Sequence, residues 1–119
     1  MSIDEIFLSQ IRSIGDLAGV FEFDGETGYF YLYEMANPEG KKIIGSIRVL
    51  AGMPDFEEED VMICWDKTET RVGLHIRGQL WAAFDANVRA AYGGNYHARS
   101  RAEIPLQIAA YFQSTGKPN

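Results

Sequence analysis

The stretch RVGLHIR, residues 71–77, is the clearest alternation of apolar and polar side chains in the chain. Successive side chains of a β-strand point to opposite faces, so the apolar and polar side chains separate. On one face lie Val72, Leu74 and Ile76, and on the other lie Arg71, His75 and Arg77. This pattern is typical of an antiparallel strand with one face in the core and one in solvent. We therefore predict a half-buried strand here, followed by a tight turn at Gly78-Gln79.

Strand patterns extend from this stretch in both directions along the chain. We predict five further strands, at residues 18–23, 29–35, 42–50, 61–65 and 80–84. Residues that favour turns separate most of them, as in Asp24-Gly25-Glu26-Thr27-Gly28 and Asn37-Pro38-Glu39-Gly40. Short turns leave no room for the crossovers that parallel strands need, so we expect an antiparallel meander.

Helical periodicity is found mainly at the two ends of the chain. Behind Ser2 and Glu5, which have capping-box spacing, apolar residues recur at helical intervals and predict a helix over residues 3–13. Ile104, Ile108 and Phe112 form a second stripe, and we expect that helix to begin at Pro105. A short helix is also predicted over 86–92, and the last residues, 114–119, are expected to fray.

The predicted fold is therefore α+β, within one domain that covers residues 1–119. It consists of a single antiparallel sheet of about six strands in meander order, with the N-terminal and C-terminal helices packed on one face. A chain of 119 residues, with 46% apolar residues, is long enough to bury one core without disulfides or metal.

Composition excludes several classes of protein. No apolar run is long enough to cross a membrane, and acidic residues stand where a secretory signal would be basic. The single cysteine, Cys64, indicates a reducing compartment, so we expect a cytoplasmic protein. A net charge of −6 and an isoelectric point near 4.8 argue against nucleic acid as the main partner.

The acidic charge is concentrated in the first part of the chain. Residues 1–66 hold 14 acidic and 4 basic side chains, whereas residues 67–119 hold 3 acidic and 7 basic ones. The densest run is Asp55, Phe56, Glu57, Glu58, Glu59 and Asp60. This run is either a solvated loop or a recognition loop in which Phe56 anchors on a basic protein surface.

A second candidate surface is the tyrosine stripe Tyr29, Tyr31 and Tyr33 on one face of a predicted strand. These rings either lie beneath a helix or form an exposed platform. They could instead line a pocket together with Trp65, Asp66 and His75.

Motifs of catalysis and of metal or cofactor binding are absent from the sequence. It has no P-loop, no G-x-G-x-x-G and no G-x-S-x-G, and His75 and His97 are 22 residues apart. Cys64 has no activating cation or base beside it in sequence, so we interpret it as structural. We therefore predict no catalytic residue, no metal and no cofactor.

Three stretches resemble a family of small bacterial domains of unknown function. They are GETGYFY at residues 25–31, ICWD at 63–66 and AAFD at 82–85, so the resemblance covers residues 20–85. It implies a bacterial, cytoplasmic, non-enzymatic module and transfers no functional residues. The small size and acidic charge are also similar to those of immunity proteins that neutralise toxins.

The leading hypothesis is a non-enzymatic protein-binding module, of inhibitory or immunity type, that recognises a basic partner surface through residues 55–60. One alternative is a small-molecule or hydrolytic site around the tyrosine stripe, Trp65, His75 and Asp66. A third hypothesis is a homo-oligomeric structural protein, for which a homodimer is the simplest assembly.

Overall fold

The computed structural model describes residues 5–35, 42–96 and 102–113. This part of the chain forms eight β-strands, a single 3-10 turn at Glu58–Asp60 and a short α-helix. The strands are β1 (Ile6–Ile11), β2 (Leu17–Phe23), β3 (Thr27–Glu34), β4 (Lys42–Ala51), β5 (Val61–Trp65), β6 (Arg71–Ile76), β7 (Gln79–Asp85) and β8 (Ala90–Gly93). The helix, α1, spans Leu106–Gln113.

The strands form two four-stranded antiparallel meanders rather than a single sheet. The first sheet has the order β1-β2-β3-β4 and the second the order β5-β6-β7-β8. The prediction of one six-stranded sheet with two terminal helices on one face is therefore wrong. Local patterning correctly indicated consecutive antiparallel pairing, but the chain leaves the first sheet after β4 and starts a second one.

The N-terminal segment is a strand where a helix was predicted. Residues Ile6–Ile11 pair with β2 along their whole length, from Ile6 opposite Phe23 to Ile11 opposite Ala18. Ile6 is buried in the core whereas its neighbour Phe7 is 62% exposed, as expected for alternating side chains of a strand. Ile side chains favour strands over helices, and pairing with β2 decided the outcome. The predicted capping residue Ser2 lies outside the described residues.

The segment predicted as a short helix over 86–92 is also extended. Arg89 adopts a positive φ of 55° in the turn after β7, and Ala90–Gly93 then pairs back on β7. The chain continues along β4, where the Tyr96 N–H donates to the Val49 carbonyl at 2.6 Å. This contact joins the end of the second sheet to the edge of the first.

The core lies between the facing sides of the two sheets. Phe30 of the first sheet and Phe84 of the second meet there, with ring centroids 5.2 Å apart. Val72, Leu74 and Ile76 are each at most 2% exposed, so the predicted core face of β6 is confirmed. Arg71 and His75 point to the outer side of the second sheet, but helix α1 contacts both of them, so the prediction that this face of β6 lies in solvent is wrong.

Helix α1 packs on that outer side. It begins at Leu106, one residue after the start predicted at Pro105, and buries Ile108 and Phe112 against Ala83 of β7. The second sheet is therefore covered on both sides. No described element packs over the outer side of the first sheet.

Candidate functional site

The uncovered outer side of the first sheet, which we call the tyrosine face, carries a row of partly exposed aromatic side chains. Strand β3 contributes Tyr29, Tyr31 and Tyr33, which alternate with the buried Phe30 and Leu32. The other strands add Phe7, Ser9 and Ile11 from β1, Ala18, Val20 and Glu22 from β2, and Ile43, Ser46 and Arg48 from β4. The tyrosine face is thus built on four paired strands.

The aromatic rings of the tyrosine face contact one another along β3. Tyr29 and Tyr31 stack with centroids 5.6 Å apart and planes 8° from parallel. Tyr33 meets Tyr31 edge to face at 5.9 Å. Partial burial, together with the nearby Glu22 carboxylate, raises the pKa of Tyr31, so this ring stays neutral at physiological pH. The three half-buried rings therefore form a packed aromatic surface.

Large apolar side chains surround the three tyrosines. Phe7 is 62% exposed, and Ile11 and Ile43 are each 47% exposed. Val20 lies between Ser9 and Tyr31 in the strand register and is only 4% exposed, although it faces away from the core. Neighbouring apolar groups already shield the centre of the tyrosine face from water.

The outer side of the second sheet holds a charged cluster at one end. The Arg71 guanidinium lies between two buried carboxylates, with Nη1 3.1 Å from Asp66 Oδ2 and Nε 3.1 Å from Asp85 Oδ2. Asp66 Oδ1 accepts the Thr70 and Arg71 N–H groups, and Asp85 Oδ1 accepts that of Asn87. Both carboxylates are thus held by backbone and by one shared cation. This arrangement stabilises the turns that follow β5 and β7.

His75 occupies the same side of the second sheet, beneath α1. Its ring meets the Phe112 ring edge to face, with centroids 5.8 Å apart. Its Nδ1 atom is buried and has no hydrogen-bond partner within the described ranges. Burial lowers the pKa of His75 below the ordinary value of 6.5, because the charged imidazolium would lose its water. The neutral ring therefore acts here as a packing group for α1.

The pocket predicted from the sequence is not assembled. Trp65 faces the core between the sheets, and its Nε1–H donates to the Gln10 carbonyl at 2.9 Å. Asp66 and His75 belong to the second sheet, whereas Tyr29, Tyr31 and Tyr33 lie on the outer side of the first. The core therefore separates the tyrosines from the residues expected to join them.

Phe56 is part of the core, so its predicted role as an exposed anchor is wrong. It is 2% exposed and packs edge to face on the Tyr96 ring at 5.2 Å. Burying an aromatic side chain away from water lowers the free energy, compared with leaving it in solvent among carboxylates. This hydrophobic stabilisation favours the buried position of Phe56. The sequence did not indicate this burial, because the acidic residues on either side of Phe56 favour exposure only of their own side chains.

Two of the carboxylates in the same loop are engaged with residues distant in sequence. Asp55 accepts the Tyr96 hydroxyl at 2.7 Å, and Arg77 lies near both Asp55 and Asp60, with nitrogen–oxygen distances of 3.9 and 3.7 Å. Burial and the Asp55 hydrogen bond raise the pKa of Tyr96 to about 12. Glu57, Glu58 and Glu59 remain exposed. The loop is thus tied to the domain at both ends.

Metal-binding side chains do not converge anywhere in the described ranges. No group of three or more His, Cys, Asp and Glu side chains there could hold a metal ion. Arg71 already occupies the space between Asp66 and Asp85, which are the two buried carboxylates. Cys64 is half-buried, and burial raises the pKa of its thiol, so little reactive thiolate forms near neutral pH.

The fold and these surfaces define a class: a small β-domain of two packed meanders in which a helix covers one outer side and leaves a tyrosine-rich side open. Within that class, the chain belongs to a bacterial family described as "Uncharacterized protein conserved in bacteria (DUF2251)", whose sequence model matches residues 3–105. The resemblance noted over residues 20–85 is thus confirmed and extends further in both directions.

A protein of Haemophilus influenzae, itself described only as uncharacterised, is 31% identical to this chain over 102 residues. The match covers 77% of this chain and 63% of that protein, so the chain spans less than two thirds of its relative. No solved structure matches the chain. Among the described residues, no helix has the length and apolar character needed to cross a membrane.

Proposed function

We propose that this protein is a non-enzymatic protein-binding module whose contact surface is the tyrosine face. One observation carries the proposal. The two sheets each have an outer side with buried or half-buried apolar groups, but only the second has a described element, α1, packed on it. The first exposes Phe7, Ile11 and Ile43 in addition to three tyrosines. A partner would supply the missing cover.

The chemistry of the tyrosine face suits protein recognition. Tyrosine and phenylalanine are enriched at the centres of interfaces, where they bury large areas and lose few rotamers. The stacked Tyr29 and Tyr31 rings are already ordered by each other and by the paired strands beneath them. Such preorganisation reduces the entropy lost on binding.

The acidic loop contributes less to this proposal than the sequence suggested. An immunity-type role toward a basic partner needed both the carboxylates and the Phe56 anchor, and Phe56 is buried. The proposal therefore transfers the apolar anchor from Phe56 to the tyrosine face. A cytoplasmic location, which the single Cys64 favours, is part of the same proposal.

Hydroxyl-radical footprinting of the isolated protein at high dilution tests the proposal. We expect strong modification of Phe7 and intermediate modification of Tyr29, Tyr31 and Tyr33. Phe21 and Phe30, which are 0% exposed, serve as internal controls and should stay unmodified. If Phe7 and the tyrosines are protected as well as Phe30 in the monomer, the chain covers its own face and the proposal is wrong.

A further inference from the structure

We propose that the partner of the tyrosine face is a second copy of this chain, packed face to face about a two-fold axis that runs along β3. This inference rests on the proposed function, because it requires the tyrosine face to be a binding surface. The strand register and the positions of two opposite charges carry it.

The two charges lie on either side of the central tyrosine strand. Tyr29 of β3 is directly opposite Glu22 of β2 and directly opposite Arg48 of β4. Both side chains are exposed, and within the described ranges neither makes an ion pair or a side-chain hydrogen bond. Two strand spacings, about 9.6 Å, separate their backbones, so Tyr29 stands between them.

A two-fold axis along β3 makes this arrangement self-complementary. The axis exchanges the β2 side of the face with the β4 side and preserves the position along the strand. Glu22 of one copy therefore faces Arg48 of the other, and the same contact occurs a second time by symmetry. Each of Tyr29, Tyr31 and Tyr33 meets the equivalent ring of the second copy across the axis.

The other cross-strand rows, and a comparison with an axis between β2 and β3, support the same choice. Val20 and Ser46 flank Tyr31, and Ala18 and Ile43 flank Tyr33. The axis therefore places Val20 of one copy opposite Ser46 of the other, and Ala18 opposite Ile43, so no like charges meet there. An axis placed between β2 and β3 would instead set each Glu22 carboxylate against a Tyr29 ring of the other copy. The ring face is electron-rich, so that contact would be unfavourable.

The size of the tyrosine face indicates a weak dimer. An axis along β3 places β2, β3 and β4 of one copy on β4, β3 and β2 of the other and leaves β1 outside the overlap. β3 has eight residues, and a rise of about 3.3 Å per residue with three strands about 4.8 Å apart gives roughly 380 Å² per copy. Stable protein interfaces bury about 800 Å² per partner, so this one is about half that size and belongs to the weak, transient class. We expect a dissociation constant in the micromolar range and a mass that increases with concentration.

Charge reversal at the two positions tests this geometry. Sedimentation equilibrium of the unaltered protein should show a monomer–dimer equilibrium. Glu22→Arg alone would oppose two arginines twice, and Arg48→Glu alone would oppose two carboxylates twice. We expect each variant to raise the dissociation constant by about tenfold or more. An equimolar mixture of the two should form heterodimers again, because both contacts then join opposite charges.

The controls are charge reversals at exposed residues away from the tyrosine face. Glu58→Arg and Arg89→Glu change the net charge by the same amounts and should leave the dimer unchanged. Circular dichroism establishes that each variant is folded. If either reversal fails to fold, Tyr31→Glu replaces it. That substitution sets two carboxylates against each other at the axis and should also abolish dimerisation.

Footprinting of the unaltered protein separates the two proposals. A protein that stays monomeric with modified tyrosines overturns the second-copy inference and leaves the face open to a different protein. A monomer with protected tyrosines overturns both. Failure of the Glu22→Arg and Arg48→Glu mixture to dimerise, when the unaltered protein does so, overturns the axis along β3.

Discussion

The guanidinium carbon of Arg71 on β6 lies 3.5 Å from the centroid of the Tyr111 ring on α1. A cation over an aromatic face is attracted by the ring, and here the cation is also held by two buried carboxylates. The same side chain therefore supplies the counter-charge for two carboxylates at the end of the second sheet and contacts the helix that covers it.

Replacing Arg71 by methionine should destabilise the protein strongly. The change would leave Asp66 and Asp85 buried without a counter-charge, and uncompensated buried charges of this kind cost about 3–5 kcal/mol. Urea unfolding measures the loss. Arg71→Met combined with Asp66→Asn and Asp85→Asn should be more stable than Arg71→Met alone. If the triple variant is the less stable one, charge burial is not the reason for the loss.

The inward face of β6 should be far more sensitive to truncation than its exposed end. Leu74 is 0% exposed, and Leu74→Ala should lower the free energy of unfolding by about 2–5 kcal/mol. Arg77 is half-exposed. It donates a hydrogen bond to the Asp55 carbonyl oxygen, and its ion pairs with Asp55 and Asp60 are long, so Arg77→Ala should cost only about 1 kcal/mol. Equal losses in denaturant unfolding would contradict this assignment of faces.

Two glycines with similar backbone angles should respond differently to alanine. Gly78 has φ 80° and open space around its Cβ position, whereas Gly93 has φ 89° and would place a Cβ 2.2 Å from the Trp81 carbonyl oxygen. Gly78→Ala should cost about 1 kcal/mol from backbone strain alone. Gly93→Ala should cost about 2 kcal/mol more, because rigid backbone must move. Thermal unfolding of the two variants, side by side, measures the difference.

His75 should make the protein less stable in mild acid. Because burial lowers its pKa in the folded state, the unfolded chain binds the proton more tightly, and protonation favours unfolding. The contribution of His75 to stability is complete above about pH 6.5 and is lost as the pH falls through the lower, folded-state pKa. His75→Gln should flatten the unfolding free energy over that range. Parallel profiles for the two proteins would show that another group titrates.

Periodicity of the sequence predicted individual strands well. The alternation around Leu74 identified the buried face of β6, and turn residues placed most strand boundaries within a few positions. Pro105 predicted the start of α1 to within one residue, because proline cannot continue a preceding helix and is favoured where a helix begins. These features depend on neighbours in sequence, so the sequence contains them.

Features that depend on distant residues were predicted poorly. The apolar residues at positions 6, 7, 8 and 11 are compatible with both a helix and a strand, and only pairing with β2 selected the strand. The acidic neighbours of Phe56 predicted an exposed side chain, but Phe56 packs in the core against the Tyr96 ring, which is 40 positions later in the sequence. Both sides of β3 carry aromatic residues, so the sequence did not indicate which side would face the second sheet.

The sequence by itself determined that this chain forms antiparallel hairpins, that β6 has one buried face, and that the helix follows Pro105. Tertiary structure alone decided that the hairpins divide into two sheets, that Arg71 serves two carboxylates and a ring, and that the tyrosines remain outside. The reason is physical. Turn geometry and side-chain alternation act over a few residues, whereas the choice of which apolar face is buried depends on the area that two distant sheets can remove from water together.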